Sequence, residues 1–354
     1  MEDLRKVLRP GRIIYPILIG LGVASWMLYR NFDQEAFGFF SWSWAALFGL
    51  SAAFAMMAVR DIAYMYRLRI LTDGELTWKQ SFQVIMLWEF SSAVSPSVVG
   101  GTGPAIFFLY KEGVNSGKST AVVLTAIFLD EVFFILMVPV LYLLYGNNIF
   151  PDIESDFADG IVAGLIIGYS FIFIYTVLLA YTLFFNPYFF KWLLSWIFLI
   201  PFLRRFRTRM RKLANQLIVT SILLKGKSFS YWVKAFIATF FSWTGRYWVV
   251  NFMFMAFFFS HISLADHFLI YARQLTMWII LLVSPTPGGS GIAEFIFSDF
   301  LGNFLPNFAW AVPLALLWRL ISYYPYLFMG VIVLPGWLKR VYKKKSTYEK
   351  IELD

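Results

Sequence analysis

The 354-residue sequence contains no cysteine. That absence excludes thiolate catalysis, disulfide bridges and Cys-ligated zinc, and leaves the compartment open. Only two histidines are present, His261 and His267, too few for a histidine-built metal site. Charge is scarce as well: 14% of residues are charged, where a soluble domain carries about 25%. Apolar residues take its place, with 60% hydrophobic and 21% aromatic. One soluble core of this size cannot bury so much apolar surface, so an ordinary soluble enzyme and a disordered chain are excluded. A polytopic membrane protein remains, each span needing roughly 20 residues. The net charge of +9 would suit nucleic acid by number alone. In a membrane chain basic loops mark the cytoplasmic face instead, and no nucleic-acid partner is expected.

The expected fold is all-α and polytopic, with full crossings near 13–29, 43–59, 119–145, 160–184, 231–259 and 306–334. Gly22-Val23-Ala24 would also serve as a cleavage site, which makes a signal peptide the rival reading of the first span. The apolar run nevertheless continues through Leu28. Two further apolar stretches, 80–110 and 265–297, are interrupted by Pro and Gly. If each enters and leaves on the same side, the inside segments are 1–12, 60–79, 111–118, 186–230 and 335–354. These hold 25 of the 30 Lys and Arg, and the outside segments hold only Arg30. The loop 146–159 carries Asp152, Glu154, Asp156 and Asp159 and no base. A single crossing at 80–110 would turn every later basic loop outward. The positive-inside rule therefore predicts two re-entrant helical hairpins, with both termini cytoplasmic. Segment 186–230 combines Trp192, Trp196 and Phe198 with an Arg-rich run from Arg204 to Lys212, and reads as a cytoplasmic basic interfacial segment. Residues 339–354 read as a short charged cytoplasmic tail.

The two broken stretches resemble each other. One reads Ser95-Pro96, then Gly100-Gly101-Thr102-Gly103; the other reads Ser284-Pro285, then Gly288-Gly289-Ser290-Gly291. With the span order around them, they define an inverted-topology repeat, 1–146 and 160–338, within a single membrane domain, 1–338. Secondary transporters commonly follow this plan, with discontinuous helices meeting near the midplane. Close helix packing through small residues is the alternative use of the glycines.

Seven charged residues in or near the apolar stretches stand out: Glu89, Asp130, Glu131, Arg246, Arg273, Glu294 and Arg319. A charge at the bilayer centre costs about 2.5–3.5 kcal/mol on the insertion scale, so these must pair, face water or bind a ligand. Asp130 and Arg319 each lie 35 residues past the Ser of their motif. An ion pair between the halves and a gate or ligand site are equally open for them. The Gly-rich turns present backbone N–H groups suited to phosphate or carboxylate, and Thr102 and Ser290 add hydroxyls. Arg246 and Arg319 could bind the same anion bidentately, with Tyr323 and Tyr326 on the face of Arg319. The expected substrate-binding set is Gly100, Gly101, Thr102, Gly103, Gly288, Gly289, Ser290, Gly291, Arg246, Arg319 and Tyr323. The expected gating or proton-coupling set is Glu89, Asp130, Glu131, Arg273 and Glu294. No catalytic residue, metal or cofactor is expected. Gly113-Val114-Asn115-Ser116-Gly117-Lys118-Ser119 falls one residue short of a P-loop, and the chain is not read as an enzyme.

The run Pro285-Thr286-Pro287-Gly288-Gly289-Ser290-Gly291-Ile292-Ala293-Glu294 resembles the signature of the lysylphosphatidylglycerol synthase transmembrane, or flippase-like domain, family. The first Gly-rich motif, Asp130-Glu131 and Arg319 are similar to the same family, over about residues 5–338. The family includes the membrane half of the multiple peptide resistance factor, implicated in moving aminoacylated phosphatidylglycerol between leaflets. The resemblance implies a lipid-translocating membrane domain. With the inverted repeat, the Gly-rich turns and the midplane charges, the leading expectation is a transporter of the bacterial inner membrane that flips a phospholipid or a polyprenyl-phosphate carrier. A full synthase has a soluble aminoacyl-transferase domain after the membrane part. About 20 residues follow the last span here, so synthase activity is not expected. A secondary transporter of an ion or small solute, and a non-transporting partner of a lipid-modifying enzyme, are the rival readings. Membrane lipids are the expected partners, with a homo-oligomer or a lipid-modifying enzyme beside them.

Overall fold

The computed structural model describes residues 43–95, 101–150, 158–197, 207–259, 261–282 and 289–351, with Trp26, Tyr29 and Thr286. Apart from Trp26 and Tyr29, the expected span 13–29 lies outside the described residues, as do the turn residues Gly100 and Gly288 and the acids Asp152, Glu154 and Asp156. The rest is helical throughout. The helices are α1 Trp44–Leu71, α2 Trp78–Ala93, α3 Thr102–Lys111, α4 Ser116–Tyr145, α5 Ala158–Ala180 and α6 Phe189–Ile197. They continue with α7 Arg207–Leu224, α8 Phe229–Phe258, α9 Leu264–Leu282, α10 Ile292–Leu301, α11 Ala311–Ser322 and α12 Tyr324–Ile351.

Local chemistry sets the ends of these helices. Ser43 caps α1 by accepting from the Ala46 N–H at 3.1 Å. Thr77 and Gln80 close a reciprocal capping box on α2. Asn115 and Ser228 cap α4 and α8. Among the described residues, four stretches are long and apolar enough to cross a membrane: Trp44–Leu71, Ser116–Ile149, Ala163–Phe185 and Phe308–Val341. The segment 231–259, expected to cross, forms the continuous 30-residue α8; it is of similar length but richer in polar groups and is not among these four. The crossing expected at 306–334 is divided at Tyr323, between α11 and α12.

One expectation fails in detail. The second span does not end at residue 59. Helix α1 continues to Leu71, and Arg60 and Arg67, counted above as charges of an inside loop, are buried within it. At about 1.5 Å per residue its 28 residues reach about 42 Å, well beyond a hydrocarbon core of about 30 Å.

Each of the two broken stretches contributes two helices that pack on each other, α2 with α3 and α9 with α10. In the first, Ser92 near the end of α2 packs on Gly101 at the start of α3, and Gln80 at the start of α2 bonds Glu112 just past α3. In the second, Leu281 of α9 lies on Gly289, and Arg273 donates to the Phe300 carbonyl of α10 at 3.0 Å. Gly289 and Gly291 have φ of +69° and +87°, which a residue with a Cβ rarely adopts.

Helices α1 and α8 make the closest long crossing. A Cβ on Gly49 would sit 2.6 Å from that of Ala256, and one on Gly245 would sit 3.0 Å from the Met56 carbonyl. Small residues let the two backbones meet, as between helices in lipid. An aromatic core joins α4, α8 and α9, where Phe134 and Trp278 stack with centroids 3.7 Å apart. Facing outward, α1 exposes Leu47, Phe48 and Phe54, and α5 exposes Ile166, Ile167, Phe171 and Ile174. So broad an apolar exterior needs lipid around it.

The basic segment 186–230 is divided between α6 and α7. Trp192 and Trp196 are exposed on α6, as an interfacial helix requires. The later half of α7 is buried at Ala214, Leu217 and Leu224, so that half is packed against the bundle rather than lying free on a surface.

Candidate functional site

The interior of the bundle holds three linked groups of charge. Helix α1 builds two of them. Arg60, Tyr64 and Arg67 follow at spacings of four and three, which stacks them on one face. The Arg60 and Arg67 guanidinium carbons lie 4.8 and 4.5 Å from the Tyr64 ring centre, one on each side along the helix.

Arg60 is fully buried. It pairs with Glu89 of α2 at 2.7 Å and with its neighbour Asp61 at 2.8 Å. It also donates to the Tyr326 hydroxyl of α12 at 2.6 Å, and that hydroxyl donates to Asp61 at 2.8 Å. The other Glu89 oxygen lies 3.9 Å from Arg246 of α8. This pair is loose, and the Arg246 side chain is 32% exposed. Helices α1, α2, α8 and α12 therefore meet in one charged knot.

Arg67 reaches the other way. It pairs with Asp130 of α4 at 2.5 Å and donates to Thr239 of α8 at 3.1 Å. Asp130 also accepts from the Trp243 indole at 2.7 Å. Neighbouring Glu131 points elsewhere, as residues about 100° apart on a helix must, and its Oε2 is buried without a hydrogen-bond partner.

The third group belongs to the second hairpin and α11. Arg319 pairs with Glu294 at 3.1 Å and donates to Ser290 at 3.3 Å. The other Glu294 oxygen accepts from the Gly291 N–H at 2.8 Å. The Arg319 guanidinium lies 3.8 Å from the Tyr323 ring centre. Tyr323 donates its hydroxyl to the Ala93 carbonyl at the end of α2, at 3.0 Å. Through Tyr323 the Arg319 group touches the first hairpin.

The expected residues are thus partly gathered. Ser290, Glu294, Arg319 and Tyr323 converge, with Gly289 and Gly291 shaping their turn. Glu89 and Arg246 belong to a separate group. Asp130 is held by Arg67 and not by Arg319, so the symmetry-based Asp130–Arg319 ion pair does not form. Thr102 opens α3, and a Cβ on Gly103 would meet nothing within 4 Å. Arg273 lies apart near the loops and donates to the carbonyls of Asn148 and Phe300. Sequence reading missed Arg60, Asp61 and Arg67. A usable signal was present: the helical spacing of Met57, Arg60, Tyr64, Arg67 and Leu71 meets no turn residue before Asp73-Gly74.

These groups have clear chemical capacity. Buried guanidinium groups already fixed by carboxylates form a preorganised series of cations and anions. The partly exposed Arg246 can exchange its long contact with Glu89 for an incoming phosphate.

An all-helical bundle with an apolar exterior and ion pairs across its interior is a polytopic membrane protein. Among such proteins, the family model of the lysylphosphatidylglycerol synthase TM region matches residues 13–330, and the chain belongs to that family. A UPF0104 membrane protein of Archaeoglobus fulgidus is 25% identical over 288 residues, covering 80% of this chain and 84% of that protein. No solved structure matches. The family match is to a transmembrane region, not to a catalytic domain.

Proposed function

We propose that this protein moves a phospholipid, or the headgroup of a lipid-linked polyprenyl phosphate, between leaflets through a site at the interface of two inverted repeats. The observation that carries the reading is the interior series of ion pairs, Arg319–Glu294, Arg60–Glu89 and Arg67–Asp130, with Arg246 partly open beside it. Charges in a bilayer interior are costly and usually mark a substrate or ion path. Ion pairs retained for stability alone are often no better than apolar packing. Such a series offers a headgroup polar steps while its acyl chains stay in lipid.

Other features support the reading. At 16 and 10 residues, α2 and α3 reach about 24 and 15 Å, too short to cross. The first pair is tied at its base, Gln80 to Glu112, and in the second Arg273, midway along α9, ties it to Phe300 near the end of α10. This pattern fits two re-entrant hairpins entering from opposite sides. Arg246 and Arg319 bind phosphate in this reading. Asp130, Glu131 and Glu294 meet a cationic headgroup or carry coupling protons. The termini lie in the cytoplasm and the membrane is the bacterial inner membrane.

The test uses proteoliposomes holding a fluorescent phospholipid and a membrane-impermeant reductant. Empty vesicles should lose about half the fluorescence, and vesicles with the protein clearly more. Arg246→Gln should slow the added loss at least tenfold with an unchanged unfolding midpoint. Solute uptake under an ion gradient, with no lipid movement, would instead place the protein among secondary transporters of hydrophilic solutes.

A further inference from the structure

We infer a second, peripheral lipid site on the outer side of the bundle, which holds a phospholipid with its phosphate in a polar chamber and an acyl chain in an adjoining apolar groove. This inference rests on the lipid reading above.

The chamber, of about 450 Å³, lies where three connections meet: the turn after α4, the turn between α8 and α9, and the stretch after α10. Its walls include Asn148, His261, Asp266, Arg273 and Asn303. All three connections are on the outer face by the charge distribution of the loops. The groove, of about 390 Å³, is lined by Val138 and Pro139 of α4, Leu165 and Tyr169 of α5, and Thr276 and Ile279 of α9. Among its lining residues, Tyr142 and Ile166 are exposed on the outside of the bundle.

One wall divides the two spaces, and hydrogen bonds fix it. Arg273, facing the chamber, donates to the Asn148 carbonyl at 2.9 Å. Thr276, one turn further along α9 and facing the groove, donates to the Ile149 carbonyl at 3.1 Å. Residues 147–149 thus form a rim with a polar space containing a guanidinium on one side and an apolar slot on the other. A polar solute would leave the slot empty, and a hydrocarbon would leave the chamber empty. A phospholipid lying across the rim fills both, with its phosphate toward Arg273. The proposal concerns binding at this edge, away from the Arg319 and Arg246 groups.

The test is photocrosslinking in phosphatidylcholine nanodiscs doped with phosphatidylglycerol that carries a diazirine in its acyl chain, with mapping by mass spectrometry. Crosslinks should concentrate on 138–150, 165–169 and 276–279, at least fivefold above the outward face of α1 at Phe48 and Phe54. Ile166→Trp, at an exposed position, should fill the slot and lower this labelling about fivefold without changing labelling of α1. His261→Asp, also exposed, should place a negative charge at the chamber mouth. It should lower labelling by the phosphatidylglycerol probe but not by a diazirine diacylglycerol, which has no phosphate. Equal labelling of both faces, or labelling unmoved by both variants, would overturn the proposal. Lipid movement is read separately. Selective labelling without transport would keep this site and remove the transport reading; transport with uniform labelling would do the reverse.

Discussion

At the scale of single residues, partner choice carries the consequences. Removing one member of a buried ion pair leaves the other charge uncompensated, at about 3–5 kcal/mol. Arg319→Ala should therefore lower stability by that order. Glu294→Ala should restore part of the loss, because its partner at 3.1 Å is gone. Arg319→Ala and Asp130→Ala should instead add independently, while Asp130→Ala and Arg67→Ala should not. Unfolding of the purified double mutants measures all three couplings, and strong coupling between positions 130 and 319 would contradict the geometry. Asp73, in the turn after α1, gives a contrasting case. Burial alone would raise its carboxyl pKa, but hydrogen bonds and charges from Lys118 and Lys227 outweigh it and hold the group below its ordinary value. Its contribution is present above the unfolded pKa and is lost as pH falls through the lower folded value. The carboxylate is well exposed, so Asp73→Asn should cost less than about 1 kcal/mol at neutral pH and lose even that effect in high salt. Denaturation at two ionic strengths and at pH 7 and 3 checks both signs.

At the scale of helices, close approach decides what can be changed. Gly245 of α8 sets its Cα against the α1 backbone next to Arg60. Gly245→Leu should push α1 and α8 apart and disturb the Arg60–Glu89 contact from behind, without touching a charge. The expected result is a lower unfolding midpoint together with lost lipid movement. Normal transport from a fully stable Gly245→Leu protein would show that this crossing does not position Arg60. The stretch of α12 around Trp337 and Arg340 is held differently. Glu112 accepts from Trp337 at 2.6 Å, from Gln80 at 2.9 Å and from Arg340. Glu112→Ala should free α12 from the first hairpin and speed proteolysis after Lys339 or Arg340.

At the scale of the whole molecule, orientation is the testable property. The chain lacks cysteine, so single cysteines report location without background. Cysteines replacing Ser116 and Lys227 should react with an impermeant maleimide only from the cytoplasmic side, and one replacing Ser263 only from outside. Labelling of all three from one side would reject the two-hairpin topology. The all-helical membrane character and the family were legible in the sequence: long apolar runs, two interrupted stretches and the signature at Pro285–Glu294. The length of α1 was less legible, because two arginines resemble a span boundary when only composition is read.

The sequence by itself determined that the chain lives in a membrane, is helical, and breaks at two related Gly-rich places. Those properties follow from composition, from periodicity and from backbone conformations that few residues allow. Only the tertiary structure decided which charges meet. Arg67 takes Asp130, Glu294 takes Arg319, and Glu89 lies between Arg60 and Arg246. Pairing depends on which helix faces come within about 4 Å of one another. That is set by side-chain packing between helices distant in sequence, not by position along the chain.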